Sequence, residues 1–238
     1  MKSISYSHKG RRATNQDLIL EEHFAENCYL FAVIDGMGGY ENGDMAAKII
    51  AESISTFIST VDKPDSFQIQ KAINKSNLAI RQKKASLSSN MGATIGGIII
   101  YDSCAFCFWV GDVKIFQFRD KVLLFESSSH SLVNDLVERG SNVDPIKLSK
   151  YRHVVTRSIQ GNVNTSQAEI EIIPDLLNSD IFLICSDGVH DLFDGIQIEN
   201  ILRSSSTTDE LLERLKLRLL SEATDNFSLG IVSEIINR

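Results

Sequence analysis

The chain has 238 residues, of which 43% are hydrophobic, and a formal net charge of -7. This length and composition are sufficient to bury a substantial core, and we expect one domain covering residues 1–238. The acidic balance excludes the broad positive surface of a nucleic-acid binder or of a protein held on an anionic membrane.

The amino-terminal segment lacks the apolar stretch of a secretory signal, and no later segment approaches the roughly 18 uninterrupted apolar residues that span a bilayer. We therefore expect a soluble, cytoplasmic protein. Four cysteines embedded in apolar runs are too few for a disulfide framework. Cys104 and Cys107 form a C-x-x-C within a predicted strand, where residues three apart point to opposite faces. We interpret both as buried apolar residues rather than as a zinc or redox site.

Short runs rich in β-branched and aromatic residues predict strands, and apolar residues at helical spacing predict helices. In chain order, the sequence predicts strands at 4–7, 18–22 and 29–34, helices at 44–58 and 66–85, strands at 94–101, 105–110, 114–118 and 122–125, a helix at 132–139, strands at 170–173 and 181–185, helices at 196–203 and 208–221, and a strand at 229–235.

The grouping of these elements indicates the fold class. Strands occur in runs and helices occur in pairs between them, which argues against a strictly alternating parallel α/β fold. Each helix has one apolar stripe and should lie on a sheet. No linker-like Gly/Ser tract and no internal repeat is present. The sequence therefore predicts an α+β protein, a four-layer α-β-β-α sandwich with two mostly antiparallel sheets flanked by helix pairs.

Carboxylates stand next to three of the apolar runs. Asp35-Gly36 and Asp187-Gly188 each follow a hydrophobic strand, and Asp225-Asn226 precedes the last one. Glycine lets the backbone turn so that a main-chain carbonyl can approach an ion, and oxygen ligands of this kind suit Mg²⁺ or Mn²⁺. Taken singly, Asp-Gly is also a common turn dipeptide. Brought together, the carboxylates would need a cation to offset their repulsion.

A basic pair precedes the second predicted strand, in the segment that runs from Arg11 to Asp17. An arginine beside a metal cluster is the natural bidentate partner of a phosphate dianion. The alternative is a solvated basic turn.

Eight motifs in this order resemble the metal-dependent protein serine/threonine phosphatases, the PPM or type 2C family, and their bacterial branch in particular. The resemblance covers about residues 7–235. The motifs are Arg12-x-x-Asn15-Gln16-Asp17, Asp35-Gly36-Met37-Gly38-Gly39, Gly92-Ala93-Thr94, Trp109-Val110-Gly111-Asp112, Ser129-His130-Ser131, Thr156-Arg157-Ser158-Ile159, Cys185-Ser186-Asp187-Gly188 and Asp225-Asn226.

The resemblance implies hydrolysis of phosphoserine and phosphothreonine in proteins, by attack of a water shared by two Mn²⁺ or Mg²⁺ ions. Catalysis would then rest on Arg12, Asp35 and Asp187, with Arg12 binding the substrate phosphate. The metal ligands would be Asp17 (through water), Asp35 (bridging both ions), the Gly36 carbonyl, Asp112 (with Asp187, on a weaker third ion), Asp187 and Asp225.

Several positions depart from the family pattern. Met37 stands where many eukaryotic relatives have histidine, so protonation of the leaving group is not assigned to that side chain. Val113-Lys114 replaces Ser-Arg, Ser129 replaces Asp, and Gln160 separates Ile159 from Gly161. No expected metal ligand is lost, so these changes concern substrate handling. We interpret His130 and His190 as structural, and keep His153, in the segment expected to form a mobile flap, as a candidate substrate contact or acid.

The departures leave alternatives open: a catalytically weak relative that acts as a regulatory binding module, or a small-molecule phosphatase. The expected partners of the leading hypothesis are phosphorylated proteins and a cognate serine/threonine kinase. We expect a monomer without nucleic-acid or membrane partners.

Overall fold

The computed structural model describes residues 1–24, 27–37, 42–138, 140, 151, 153–162, 164 and 166–235. Several features discussed above lie outside these residues: the motif glycines Gly38 and Gly39, the last residue of the predicted helix at 132–139, and Lys150 and Arg152 of the expected flap.

Ten strands and six helices occur in the described part of the chain. The strands are β1 Lys2–His8, β2 Asp17–Phe24, β3 Cys28–Gly36, β4 Ala93–Tyr101, β5 Cys104–Val110, β6 Lys114–Arg119, β7 Val122–Glu126, β8 Glu169–Ile173, β9 Asp180–Cys185 and β10 Phe227–Ser233. The helices are α1 Gly43–Ile58, α2 Ser66–Leu87, α3 Leu132–Glu138, α4 Asp187–His190, α5 Gly195–Ser204 and α6 Thr208–Glu222.

The strands form two five-stranded sheets in which every pair is antiparallel. The first sheet has the order β1-β10-β9-β6-β7, and the second has the order β2-β3-β4-β5-β8. The first sheet joins the two ends of the chain, because β1 pairs with β10 along its whole length. The strand order of the first sheet departs from the chain order, whereas the second sheet follows it from β2 to β5 and then passes to β8. The pairings of β1 with β10 and of β5 with β8 join residues far apart in sequence.

Three hydrophobic clusters correspond to the three interfaces of a four-layer sandwich. α1 and α2 cover the outer face of the second sheet, α5 and α6 cover the outer face of the first, and a third cluster lies between the sheets. Strand β3 shows the period of two: Leu30 and Ala32 face the helices, whereas Phe31 and Val33 face the other sheet. The predicted α-β-β-α sandwich is thus confirmed.

Local sequence explains where several helices begin. The Asp65 side chain accepts a hydrogen bond from the Gln68 N–H and caps α2, and Asp194 with Gln197 forms a capping box at α5. The four-residue α4 was not predicted, because one helical turn is too short to show periodicity. None of the helices in the described residues is long and apolar enough to span a bilayer.

All four cysteines are free thiols. Cys107 lies between the sheets while Cys104 packs on the opposite, helix-covered side of the second sheet. The two thiols of the C-x-x-C therefore point to opposite faces of β5, as the sequence predicts.

Candidate metal centre

Alternation along β3 brings Asp35 to the side of the second sheet that faces the first. The residue follows Phe31 and Val33 at intervals of two, and it lies at the carboxyl end of the strand. Asp17, the first residue of β2, is its partner across the antiparallel pair. The two carboxylates are therefore neighbours at one rim of the sandwich.

The first sheet brings two further carboxylates to the same rim. Asp187 is the first residue of α4, directly after β9, and Asp225 lies just before β10. Because β9 and β10 are antiparallel neighbours, the end of one lies beside the start of the other. Asp112 reaches the rim through the turn after β5.

These elements surround a cavity of about 780 Å³. Its lining includes six of the seven sequence-predicted site residues: Arg12, Asp35, Gly36, Asp112, Asp187 and Asp225. Asp17 is buried behind it, where its Oδ2 accepts a hydrogen bond of 2.8 Å from the Ser186 hydroxyl. Side chains separated by up to 213 positions in the chain thus converge at one place.

Burial and mutual repulsion disfavour negative charge on these carboxyl groups. Burial raises the pKa of Asp187 to about 8, and Asp112 and Asp225 contribute to that rise. Burial raises the pKa of Asp17 to about 6, although the Ser186 hydroxyl opposes the shift. Burial, followed by the charge of Asp17, also holds the pKa of Asp35 well above its usual range. The cluster therefore lacks positive charge, which a divalent cation would supply.

Arg12 provides the one arginine or lysine contact made to this cluster within the described residues. Its Nη2 lies 2.6 Å from Oδ2 of Asp225. In the same part of the chain, no group of three or more Asp, Glu, His or Cys side chains is arranged so that it could hold a metal ion as it stands. Binding of an ion at Asp225 would therefore compete with Arg12 for that carboxylate.

Buried polar atoms without partners test whether a cation fits. Asp17 Oδ1 and Thr94 Oγ1 are both buried and make no hydrogen bond, and Thr94 is the strand partner of Asp35 in β4. A buried acceptor without a partner is costly. A hydrated divalent ion would satisfy both oxygens, so the residues present fit such an ion.

Close backbone packing fixes the two Asp-Gly turns. A Cβ on Gly36 would lie 2.5 Å from the Gly43 carbonyl oxygen, and a Cβ on Gly188 would lie 2.1 Å from the Asn226 carbonyl oxygen. Only glycine allows such an approach. The glycines that suggested turns thus hold Asp35 against α1 and Asp187 against the start of β10.

Two histidines hold the turn that carries Asp112. His130 Nδ1 accepts a hydrogen bond of 3.0 Å from the Gly111 N–H, and His190 Nε2 lies 2.9 Å from the Asp112 carbonyl oxygen. Burial lowers the pKa of His190 to about 4, so it is neutral near pH 7. These contacts match the structural role expected for both residues. His153 lines the cavity, with its Nδ1 3.7 Å from a carboxylate oxygen of Asp191.

Sequence reasoning missed two residues of the site. Asp191 lines the cavity and raises the pKa of both Asp112 and Asp187. Its signal was the spacing of four residues from Asp187, which places both on one face of a helical turn. Asn226 was recognised only as part of a motif, yet it connects the Arg12 loop to β10.

Most departures from the family pattern lie away from the cavity. Lys114 pairs with Glu126, and the Gln160 carbonyl accepts a hydrogen bond of 3.0 Å from Lys84 Nζ. The Ser129 carbonyl accepts one of 2.7 Å from the Asn134 side chain. Of the departing residues that the structure describes, Met37 alone lines the cavity.

Comparison with known proteins gives a consistent result. The family model for protein phosphatase 2C matches residues 4–226. Protein phosphatase PhpP of Streptococcus pneumoniae is 26% identical over 234 residues, which cover 94% of this chain and 93% of that protein.

Two solved structures have the same fold. PppA, described as a key regulatory component of T6SS in Pseudomonas aeruginosa, superimposes with a TM-score of 0.79 at 27% identity, covering 98% of this chain and 97% of that one. The catalytic domain of the serine/threonine protein phosphatase PstP, solved with two manganese ions, has a TM-score of 0.78 at 22% identity and covers 98% and 97% of the two chains.

Proposed function

Since the chain belongs to the protein phosphatase 2C family, we propose that it uses the carboxylate-lined cavity to hydrolyse phosphoserine and phosphothreonine in proteins. It is a metal-dependent serine/threonine phosphatase. The observation that carries this proposal is the convergence of Asp35, Asp187 and Asp225 on one cavity with Arg12 at its edge.

The proposed metal ligands are those that the family resemblance implies, and they lie in or beside the cavity. Asp35 is central among them, because the charges of Asp17, Asp112, Asp187 and Asp225 all act on it, so it would hold divalent ions together with them. The Gly36 carbonyl, Asp187 and Asp225 would complete the ligands, and Asp17 would act through water. Asp112 with Asp187 would hold a weaker third ion, and the position of Asp191 supports its participation there. When bound, paired divalent ions lower the pKa of a shared water and make it a nucleophile toward phosphorus.

The residues of the chain bind and orient the substrate. Arg12 presents a planar guanidinium that can donate two hydrogen bonds to a phosphate dianion. Its present contact with Asp225 holds that guanidinium at the edge of the carboxylate cluster. A phosphate placed there would share Arg12 with Asp225, so the phosphorus atom would lie beside the metal-binding oxygens.

Substitution of the ligands tests the proposal. With Mn²⁺, the purified protein should hydrolyse p-nitrophenyl phosphate and a phosphothreonine peptide, and Asp35→Asn or Asp187→Asn should abolish both activities. Asp209→Asn is a matched control, because Asp209 is exposed and pairs only with Lys2 among the contacts described. Full activity in either site variant would remove the mechanism.

A catalytically weak regulatory module is the second candidate, based on the sequence departures at Lys114 and Gln160. Their position outside the cavity lining favours the enzyme. Calorimetry separates the two functions, because a regulatory module would bind a partner without divalent metal. Comparing phosphopeptides with sugar phosphates separates protein from small-molecule phosphatases.

The biological setting forms the remaining part of the proposal. We propose that the enzyme acts in the cytoplasm as a monomer and reverses a cognate serine/threonine kinase. Either Mn²⁺ or Mg²⁺ fits the all-oxygen ligand set, and activity measured with each ion separately would choose between them.

A further inference from the structure

Helix α2 is a basic element in an acidic protein. The chain has no Asp or Glu between Asp65 and Asp102, although the whole sequence contains 31 acidic residues against 24 Lys and Arg. Within that interval lie five basic residues, all of them on α2: Lys71, Lys75, Arg81, Lys83 and Lys84.

The basic side chains of α2 make no ion pair with a carboxylate in the described part of the chain. Helix α6 provides the contrast, because its Arg214, Lys216 and Arg218 each pair with a glutamate three or four positions away. The two helices thus differ: carboxylates balance the positive charge of α6 locally, whereas no described carboxylate pairs with that of α2. Lys71 and Lys75 lie over the aromatic rings of Phe67 and Phe57, which leaves their charge unneutralised.

Three of the basic residues share one exposed face. Lys71, Lys75 and Arg81 are exposed, as is the apolar Leu78 between them, and this spacing of three and four places them along one stripe. With a rise of about 1.5 Å per residue, the stripe from Lys71 to Arg81 is about 15 Å long. An extended peptide of roughly five residues would cover it.

Packed residues connect the carboxyl-terminal half of α2 to the cavity. The Gly161 N–H donates a hydrogen bond of 2.7 Å to the Asn77 side chain, and Gly161 packs so closely on α2 that an added Cβ would lie 3.1 Å from Arg81 Cα. Gly92 packs against the next two residues of the path, since a Cβ added to it would lie 2.9 Å from Gln160 Cβ and 3.2 Å from Met37 Sδ. Since Met37 lines the cavity, a short path of packed residues joins Arg81 to the catalytic rim.

Other basic residues near the rim are already partnered in the described part of the chain: Arg12 with Asp225 and Arg157 with Glu169. The divalent ions proposed above would offset the carboxylates that line the cavity, so the cavity has little charge left to attract an acidic peptide flank. Attraction for such a flank must come from outside the cavity, and α2 is the adjoining element whose positive charge no carboxylate of the described chain balances.

We propose that the exposed face of α2 formed by Lys71, Lys75, Leu78 and Arg81 binds an acidic segment of the phosphoprotein substrate. This inference rests on the proposed phosphatase function. It adds a preference for phosphorylated residues that lie near a run of Asp, Glu or further phosphorylated side chains. Leu78 provides an apolar contact within the stripe.

The test uses peptides that differ only in charge. Two phosphothreonine peptides carry either Asp and Glu or the isosteric Asn and Gln on both flanks, and kcat/KM is measured with Mn²⁺ at low salt. We expect the acidic peptide to be preferred about tenfold, a moderate factor because exposed ion pairs are individually weak. Raising the salt should reduce the preference, since the Debye length falls to about 10 Å at 0.1 M.

Variants that remove three positive charges from one helix at a time identify which helix causes the preference for the acidic peptide. In Lys71→Gln/Lys75→Gln/Arg81→Gln, the preference should fall to about twofold or less. Lys84 is left in place because it holds the Gln160 carbonyl. The control Arg214→Gln/Lys216→Gln/Arg218→Gln makes the same change in net charge on α6 and should keep the preference.

Hydrolysis of p-nitrophenyl phosphate, which is too small to reach α2, separates the two proposals. If it is hydrolysed with Mn²⁺ but the wild type does not distinguish the peptides, the docking surface is wrong and the phosphatase stands. Equal loss of preference in the α6 control would also overturn the docking surface, as would α2-dependent binding of RNA or anionic vesicles that displaces the acidic peptide. If no phosphate ester is hydrolysed, the proposed function fails and the inference fails with it.

Discussion

Asn226 shows how one side chain can position another that is remote in sequence. Its amide nitrogen donates hydrogen bonds of 2.9 Å to the carbonyl oxygens of Lys9 and Thr14, and its amide oxygen accepts one of 2.9 Å from the Gln16 N–H. Both ends of the loop that carries Arg12 are therefore fixed to the start of β10. Asn226 itself is buried, which makes these hydrogen bonds costly to lose.

We predict that Asn226→Ala raises KM more than it lowers kcat, because Arg12 would lose its fixed position while the carboxylates remain. A loss of about 10-fold in kcat/KM is expected for a displaced phosphate-binding group. Asn74→Ala is the comparison, since Asn74 is exposed on α2 and its side chain accepts a hydrogen bond from Gln70 Nε2, away from the cavity lining. A larger loss in Asn74→Ala than in Asn226→Ala would contradict this role.

The raised pKa values of the carboxyl groups link stability to pH when no metal is bound. The folded-state pKa values of Asp17 and Asp187, about 6 and about 8, exceed the ordinary value of about 3.9. The folded state then holds these protons more tightly than the unfolded state does. Their contribution to stability is fully present below about pH 4 and is lost as pH rises through 6 and 8.

We predict that in EDTA the Asp187→Asn variant melts at a higher temperature than the wild type at pH 8.5, and that this gap narrows toward pH 5. Millimolar Mn²⁺ should reverse the order at pH 8.5, because the ion binds the folded wild type and relieves the repulsion. Thermal denaturation of both proteins at the two pH values measures this. If the difference in melting temperature between the two proteins in EDTA did not change with pH, the raised pKa of Asp187 would not contribute to stability as predicted.

At the scale of elements, the sequence predicts all ten strands and five of the six helices of the described chain, because hydrophobic period and capping residues are local signals. The pairing of strands, by contrast, is not determined by local sequence. The contact of Arg12 with Asp225 and the order of strands in each sheet depend on residues far apart in sequence. The family resemblance therefore indicated which carboxylates belong together, and periodicity alone could not.

The short helix α4 shows an element that periodicity in the sequence does not detect, and it carries a residue of the site. One turn after Asp187, the chain presents Asp191 to the cavity, and periodicity cannot detect a helix of this length. Gly188 permits the turn by packing against the Asn226 carbonyl oxygen. The position of two acidic residues at the site thus depends in part on the close packing of α4 against the residue before β10.

We predict that Gly188→Ala abolishes most phosphatase activity, because a Cβ placed 2.1 Å from that oxygen must push α4 away from β10. Overpacking of this kind costs about 1–3 kcal/mol, so the protein should still fold. The rise in melting temperature with Mn²⁺ should be lost together with activity. A normal Mn²⁺ response would mean that Asp187 and Asp225 remain together without this contact.

At the scale of the whole molecule, the proposed metal centre depends on how the two sheets are stacked. Asp17 and Asp35 belong to the second sheet, whereas Asp187 and Asp225 flank strands of the first. Their separation is therefore set by packing between the sheets. Gly230 of β10 is a close contact in that interface, since a Cβ there would lie 1.9 Å from Cζ of Phe31 in β3.

We predict that Gly230→Ala lowers the free energy of unfolding by about 1–3 kcal/mol through overpacking and weakens Mn²⁺ binding by moving the sheets apart. Phe31→Leu removes the ring atoms that would collide, so the double variant should be more stable than the sum of the single effects by about 0.5–3 kcal/mol. Urea denaturation gives the stability of the wild type, both single variants and the double variant, and calorimetry gives the affinity for Mn²⁺. Recovery of both quantities in the double variant would trace the geometry of the metal centre to the spacing of the sheets. Simple additivity would instead show that the methyl group added at position 230 is accommodated without moving Phe31 or either sheet.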